Sequence, residues 1–140
     1  MSFDPYIHFQ GNCEAAMTFY AALFGGQLQM MRYAELPPGE DSGPITEADA
    51  QKVMHATLIV GERCLMASDS PEAFPGAPQQ SVSISHSEPT RASAQAIYDA
   101  LAEGAQEIAM PFGDTFWADG FGMLRDRFGT TWMIMGPPLM

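Results

Sequence analysis

The sequence predicts an α+β fold built from two tandem βαβββ modules. Each half of the 140-residue chain shows the same order of patterns, namely a strand, a helix and then three strands. The ends of the two helical segments also match in letters, since residues 20–26 resemble residues 98–104. A proline-rich segment divides the halves. We therefore expect one domain of residues 1–140, with a first module at 1–69, a linker at 70–80 and a second module at 81–140.

In the first module, apolar residues recur on one side of a predicted helix at the spacing of an α-helix. Asn12 suits the N-cap of this helix, and Gly25 and Gly26 suit its C-terminal end. Glycine at position 61 predicts a tight turn between two apolar runs. The predicted strands are residues 5–10, 27–33, 53–60 and 63–68.

The second module repeats this order of elements, but different residues mark where its elements begin and end. Pro89 is expected in the first turn of its helix, where a missing N–H costs nothing, and Gly104 ends the helix. Residues 111–113 are expected to form a turn, and residues 115–135, which contain both tryptophans, are expected to form a hairpin around a turn at 126–129. The other predicted strands are residues 81–85 and 106–110.

Residues 35–50 break the pattern of strands and helices. They contain three prolines, two glycines and several acidic residues, which predicts a mobile loop. Two interpretations stay open: a solvated insertion, or a lid over a binding site.

Composition excludes several classes of protein. Six basic residues against 17 acidic ones give a formal net charge of −11, which repels nucleic acid and anionic lipid. No apolar run approaches the roughly 18 residues that a membrane span requires. The two cysteines do not form a disulfide framework, and the first residues lack the pattern of a signal peptide. We expect a cytoplasmic protein with no nucleic-acid or membrane partner.

Three motifs carry a family resemblance over essentially the whole chain. They are Pro-Tyr-Ile-x-Phe-x-Gly-Asn at 5–12, Phe-Trp-Ala-x-Gly-Phe-Gly at 116–122, and Asp-x-Phe-Gly-x-x-Trp-Met-Ile at 126–134. The chain resembles the PhnB-like branch of the vicinal oxygen chelate superfamily, which includes glyoxalase I, bleomycin-resistance proteins and ring-cleaving dioxygenases. The resemblance implies a glyoxalase-like cupped sheet with helices outside, and a homodimer.

The resemblance also implies positions for a divalent metal, usually two per half, one of them a carboxylate on the last strand. Neither predicted last strand contains a carboxylate, and the best match places Met66 and Met133 there. Methionine and serine are poor ligands for a hard divalent cation, so no metal cofactor is expected. The alternative is a metal-dependent lyase or dioxygenase with an atypical site built from His8, His55 and His86.

A metal-free pocket for a small organic molecule is therefore the predicted function, with no catalytic residue assigned. Imidazoles can orient a polar ligand, and a set of aromatic and sulfur-containing side chains favours an apolar or planar one. A second alternative is a resistance protein that sequesters a drug or toxin, for which an acidic surface suits a cationic ligand. The expected ligand-binding residues are His8, His55, Met66, Ser68, Phe116, Trp117, Phe121, Trp132 and Met133.

Overall fold

The computed structural model describes residues 1–36 and 45–140, and it divides into two compact units, Met1–Pro78 and Gln79–Met140. Each unit contains one helix and one four-stranded mixed sheet. The predicted α+β fold of two βαβββ modules is confirmed. Among the described residues, no helix is long and apolar enough to span a membrane.

The first unit has its first and last strands side by side. Its elements are β1 (Tyr6–Phe9), α1 (Cys13–Phe24), β2 (Gln27–Arg32), a 3-10 turn (Tyr33–Glu35), β3 (Val53–Val60) and β4 (Arg63–Asp69). The strand order is β1-β4-β3-β2, with β1 parallel to β4 and the other pairs antiparallel. Parallel neighbours need a long connection, which the helix and two strands between them supply.

The core of the first unit lies between α1 and one face of this sheet. Alternate strand residues are buried there, as the two-residue period of a strand requires. These residues are Ile7 and Phe9 of β1, Ala56 and Leu58 of β3, and Leu65 and Ala67 of β4; they accompany Cys13, Ala16, Met17 and Tyr20 of α1.

A buried aspartate, rather than the predicted cap, organises the start of α1. Asn12 occupies the N-cap position but makes no side-chain capping bond. Instead, Asp69 at the end of β4 accepts hydrogen bonds at Oδ1 from the backbone N–H groups of Gly11 (2.9 Å) and Cys13 (3.0 Å), and at Oδ2 from that of Val53 (3.0 Å). Asp69 therefore ties three segments of the unit together. At the other end, Gly25 adopts the left-handed conformation and ends the helix as predicted.

The second unit repeats the topology. Its elements are β5 (Ile84–Ser87), α2 (Arg91–Ala102), β6 (Glu107–Gly113), β7 (Phe121–Arg125) and β8 (Thr131–Met135). The order is β5-β8-β7-β6, with β5 parallel to β8. Buried residues of α2 are Ala94, Tyr98 and Leu101.

Three boundaries of the second module were predicted wrongly. Strand β5 begins at Ile84, so Val82 lies outside it and is exposed. Pro89 precedes α2, whose N-cap is Thr90 in a reciprocal capping box with Ser93. Pro111 lies within β6 and not in a turn; β6 is an edge strand, where a proline has no ladder hydrogen bond to lose.

The predicted loop at 35–50 is described only in part. Residues 37–44 lie outside the described residues. Residues after them are tied to the end of β2, because Tyr33 donates its backbone N–H to the Lys52 carbonyl (3.1 Å) and Ala34 donates to the Ala50 carbonyl (2.9 Å).

Candidate functional site

Both predicted histidines of the first unit lie on the sheet face that is opposite the α1 side. We call this surface the histidine face and define it by Tyr6 and His8 of β1, His55 and Thr57 of β3, and Met66 and Ser68 of β4. These residues alternate along their strands with the core residues under α1, so the period of the strand assigns them to the other side.

The register of the sheet brings these side chains together in rows. Met66 is the Cα partner of both Tyr6 and Thr57, so it lies between them on β4. Ser68 is the partner of His8, and Met31 of β2 is the partner of His55. The four residues predicted for the first unit, namely His8, His55, Met66 and Ser68, therefore lie on one side of the sheet, where Ser68 is buried.

A hydrogen-bonded chain crosses this surface. The Tyr6 hydroxyl lies 3.1 Å from His55 Nδ1, and His55 Nε2 lies 2.9 Å from the Thr57 hydroxyl. The His8 ring packs beside Tyr6 with ring centroids 4.9 Å apart, and the His55 and Tyr6 centroids are 5.7 Å apart. Both nitrogens of His55 are thus engaged by hydroxyl groups.

With His55 neutral, this arrangement determines which hydrogen-bonding groups the face offers to a ligand. A neutral imidazole has one N–H donor and one acceptor nitrogen. If His55 donates to Tyr6, Thr57 must donate to His55, so the Tyr6 proton points outward and the Thr57 oxygen can accept. The other tautomer exchanges these roles. In either state the pair of hydroxyls presents one donor and one acceptor, which matches a neutral ligand group such as an amide or a hydroxyketone.

Sequence reasoning missed Tyr6 and Thr57. Each lies two positions from a histidine on the same strand, so each shares that histidine's face. The two-residue period of a strand is therefore the sequence signal that identifies both residues.

In the second unit, the predicted aromatic residues divide between surface and core. Phe116, Trp117 and Phe121 form a ladder of edge-to-face contacts, with centroids 4.9 Å and 5.2 Å apart. Phe116 is 77% exposed, whereas Phe121 is buried. The ladder therefore joins an exposed ring to the interior of its unit.

Trp132 does not belong with a binding surface. It is 2% exposed, and its indole N–H donates to Oδ2 of buried Asp126 at 2.9 Å. Its neighbour Met133 points to the opposite side of β8 and is partly exposed. The expectation that both residues line one pocket is corrected, because adjacent strand residues face opposite sides and Trp132 fills the core.

His86, the third histidine of the alternative metal site, belongs to the second unit. It lies in β5 as the partner of buried Ile134, and its Nε2 is 2.5 Å from Glu88 Oε2. Within the described part of the chain, no group of three or more His, Cys, Asp or Glu side chains is arranged to hold a metal ion.

The cysteines are not activated nucleophiles. Burial, with smaller contributions from the charges of Asp69 and Glu14, raises the pKa of Cys13 to about 12. Burial, followed by the charge of Asp4, also raises the pKa of Cys64. Thiolate is the reactive form, so both shifts oppose covalent chemistry.

Comparison with known proteins assigns the whole chain to one family. A family model described as Glyoxalase/Bleomycin resistance protein/Dioxygenase superfamily matches residues 2–134. Protein YjdN of Escherichia coli is 28% identical over 96% of this chain and 94% of its own length. The crystal structure of protein PA1353 from Pseudomonas aeruginosa has a TM-score of 0.86 at 39% identity, with 98% of each chain covered. A putative 3-demethylubiquinone-9 3-methyltransferase, PhnB protein, from Bacillus cereus has a TM-score of 0.73 at 26% identity, covering 97% and 99%.

Proposed function

The chain belongs to the Glyoxalase/Bleomycin resistance protein/Dioxygenase superfamily, and from that premise we propose that it binds a small, neutral organic molecule on the histidine face without a metal ion. The similarity to a PhnB protein agrees with the motifs at 5–12, 116–122 and 126–134. The observation that carries the proposal is the Tyr6–His55–Thr57 hydrogen-bonded chain on a partly exposed sheet face.

The binding chemistry follows from the side chains of this face. Tyr6 and Thr57 supply one donor and one acceptor, and the Met66 thioether between them supplies an adaptable apolar floor. The His8 ring beside Tyr6 adds a flat surface for a planar group. A planar ligand with adjacent donor and acceptor groups suits all of these features.

The residues that match the superfamily's carboxylate positions, Met66 and Met133, do not fit a divalent cation. Met66 provides a thioether in the first unit, its strand neighbour on the same face is Ser68, and Met133 provides a thioether in the second unit. Hard cations prefer carboxylate and carbonyl oxygen, and zinc prefers imidazole and thiolate.

Two further parts of the proposal concern the second unit and the assembly. The exposed Phe116 ring, the partly exposed Trp117 ring and the exposed side of Met133 are proposed as ligand contacts of their own unit, with buried Phe121 supporting Trp117 from the interior. The protein is also proposed to be a cytoplasmic homodimer, in keeping with the superfamily. Light scattering coupled to size-exclusion chromatography tests the oligomeric state, and a monomer at micromolar concentration would contradict the proposed homodimer.

The binding proposal is tested by a fragment screen using two-dimensional NMR on isotope-labelled protein. Neutral planar compounds with adjacent donor and acceptor groups should shift the resonances of β1, β3 and β4. Tyr6→Phe should then weaken the best compound about tenfold, because one hydrogen bond worth about 1.4 kcal/mol is lost. Tyr98→Phe removes a hydroxyl bonded to the Met110 carbonyl in the other unit and serves as the matched control.

Two results would overturn the proposal. One is equal affinity of the best compound for Tyr6→Phe and the parent protein. The other is stoichiometric zinc, nickel, manganese or iron in protein purified without a histidine tag, with loss of binding after chelation; that outcome favours the metal-dependent lyase or dioxygenase instead.

A further inference from the structure

The first unit also has a concave surface whose lining residues are not those of the histidine face. It is a cleft of ≈ 490 Å³ between the 3-10 turn that follows β2, the segment at residues 45–49 and the segment at residues 71–74. This volume falls within the range of small-molecule sites. Its lining includes Tyr33, Ile45, Asp49, Glu72 and Phe74, none of which belongs to the histidine face.

Asp49 fixes the walls of this cleft. Its Oδ1 accepts hydrogen bonds from Lys52 Nζ (3.0 Å) and from the backbone N–H of Glu72 (3.1 Å), and the Glu72 N–H also lies 3.3 Å from Oδ2. The hydrogen bond from Lys52 is the main cause that lowers the pKa of Asp49, so this carboxylate stays ionised. Asp49 thus holds the segment at 71–74 against the segment at 45–52, and the cleft is preformed.

The two aromatic side chains of the cleft differ in how they are held: Tyr33 is hydrogen-bonded, whereas Phe74 is exposed. The Tyr33 hydroxyl donates to the Asp69 carbonyl at 2.8 Å, which directs its polar end toward the body of the unit. Phe74 is 78% exposed and Ile45 is also exposed. An exposed phenylalanine beside a cleft presents a ring face that a ligand can cover.

The charge of the cleft is negative. The Asp49 carboxylate is balanced by Lys52, whereas in the described part of the chain Glu72 takes part in no ion pair. The whole chain carries a formal charge of −11, which adds to this local potential. An anionic ligand is disfavoured here, and a cation is attracted by both the carboxylate and the aromatic ring.

We propose that this cleft is a second binding site and that it takes an organic cation, an ammonium group carried on an apolar body. The ammonium lies between the Glu72 carboxylate and the face of Phe74, and the apolar body covers Ile45 and the Tyr33 ring. This site is independent of the histidine face, where a neutral ligand is proposed.

The test compares two molecules of the same shape. Choline carries a quaternary ammonium, and 3,3-dimethylbutan-1-ol is its neutral isostere. In a two-dimensional NMR titration, choline should shift the resonances of residues 45–52 and 71–74. The isostere should bind about tenfold more weakly, because it loses both the carboxylate and the ring interaction.

Two variants separate these interactions. Glu72→Gln should weaken choline about threefold, which is the effect of one exposed charge. Phe74→Leu should weaken it about two- to fivefold, because it keeps an apolar side chain but removes the ring face. Glu62→Gln and Phe3→Leu, at exposed positions of the same unit, are the matched controls and should bind choline as the parent does.

The proposal fails if choline and its isostere bind equally, or if neither shifts the resonances of the cleft. It also fails if the choline-dependent shifts are confined to β1, β3 and β4, which would assign the cation to the histidine face. Tyr6 is not a lining residue of the cleft, so Tyr6→Phe should weaken the neutral compound and leave choline binding at the cleft as in the parent, which distinguishes failure at one site from failure at the other.

Discussion

The hydrogen bonds of Asp69 give the sharpest prediction about stability. Asp69 is 2% exposed, and its carboxylate accepts three backbone N–H groups, those of Gly11, Cys13 and Val53. We expect Asp69→Asn to destabilise the first unit strongly although it changes the size of the side chain very little. The reason is that an amide has only one oxygen, whereas the carboxylate uses both.

The magnitude follows from counting these bonds. With the amide oxygen toward Gly11 and Cys13, the amide N–H₂ faces the N–H of Val53, which becomes a buried donor without an acceptor; this costs about 1–3 kcal/mol. The two remaining bonds change from charged to neutral acceptors, which costs about 1 kcal/mol each. The expected total is about 3–5 kcal/mol, a large part of the roughly 5–15 kcal/mol by which a domain is stable.

Urea denaturation followed by circular dichroism measures this loss directly. Asp4→Asn is the control, because the Asp4 carboxylate is exposed and accepts a hydrogen bond from the nearby Ser2 hydroxyl; its effect should be within about 0.5 kcal/mol. If Asp69→Asn lowers the free energy of unfolding by less than 1 kcal/mol, the assignment of Asp69 as the anchor of three segments is wrong.

Two further predictions concern packing and alkaline pH. A Cβ added at Gly26 would lie 2.6 Å from the Ile59 carbonyl oxygen, so Gly26→Ala should lower the free energy of unfolding by about 1–3 kcal/mol. Gly113→Ala is the control: its Cβ would meet nothing closer than 3.9 Å, and the free energy of unfolding should change by less than about 1 kcal/mol. Equal urea midpoints for the two variants would contradict the packing at Gly26. Burial raises the pKa of Cys13 from 9.0 to about 12 in the folded state. Below pH 9.0 the thiol is neutral in both states, so its contribution to stability is fully present. As the pH rises from 9.0 towards 12, the thiol ionises more readily in the unfolded state, so that contribution is lost. Cys13→Ala should therefore show a shallower loss of stability over this range, and parallel curves for parent and variant would count against a buried neutral thiol.

The sequence predicted the elements of the fold well wherever local patterns are strong. The alternation in β3 and β4 and the glycine turn between them placed both strands almost to the residue. The start of the second module was less clear, because residues 81–85 and the observed strand Ile84–Ser87 have similar polar and apolar alternation. The turn predicted at Pro111 was wrong for a physical reason. Whether a proline interrupts a strand depends on the position of that strand in the sheet, which the local sequence does not reveal.

The candidate site was predictable in part. Strand periodicity placed His8 and His55, and it could also have identified Tyr6 and Thr57. It could not decide which side of β8 faces the core, so Trp132 was assigned to a pocket although its indole is bonded to Asp126. The cleft bounded by Asp49 depends on contacts between segments more than 20 residues apart in the chain, which no local pattern encodes.

The parallel pairing of the first and last strands of each unit also determines when that unit can form during synthesis. In the first unit β1 has a single neighbour in its sheet, β4, and Tyr6 pairs with Met66. β1 is the first strand of its unit to be synthesised, and it cannot pair with β4 until nearly the whole unit has been made; the same delay applies to Ile84 and Trp132 in the second unit. Closing so long a loop is a late and entropically costly step, so nascent chains that stop before residue 63 should keep β1 accessible to proteases.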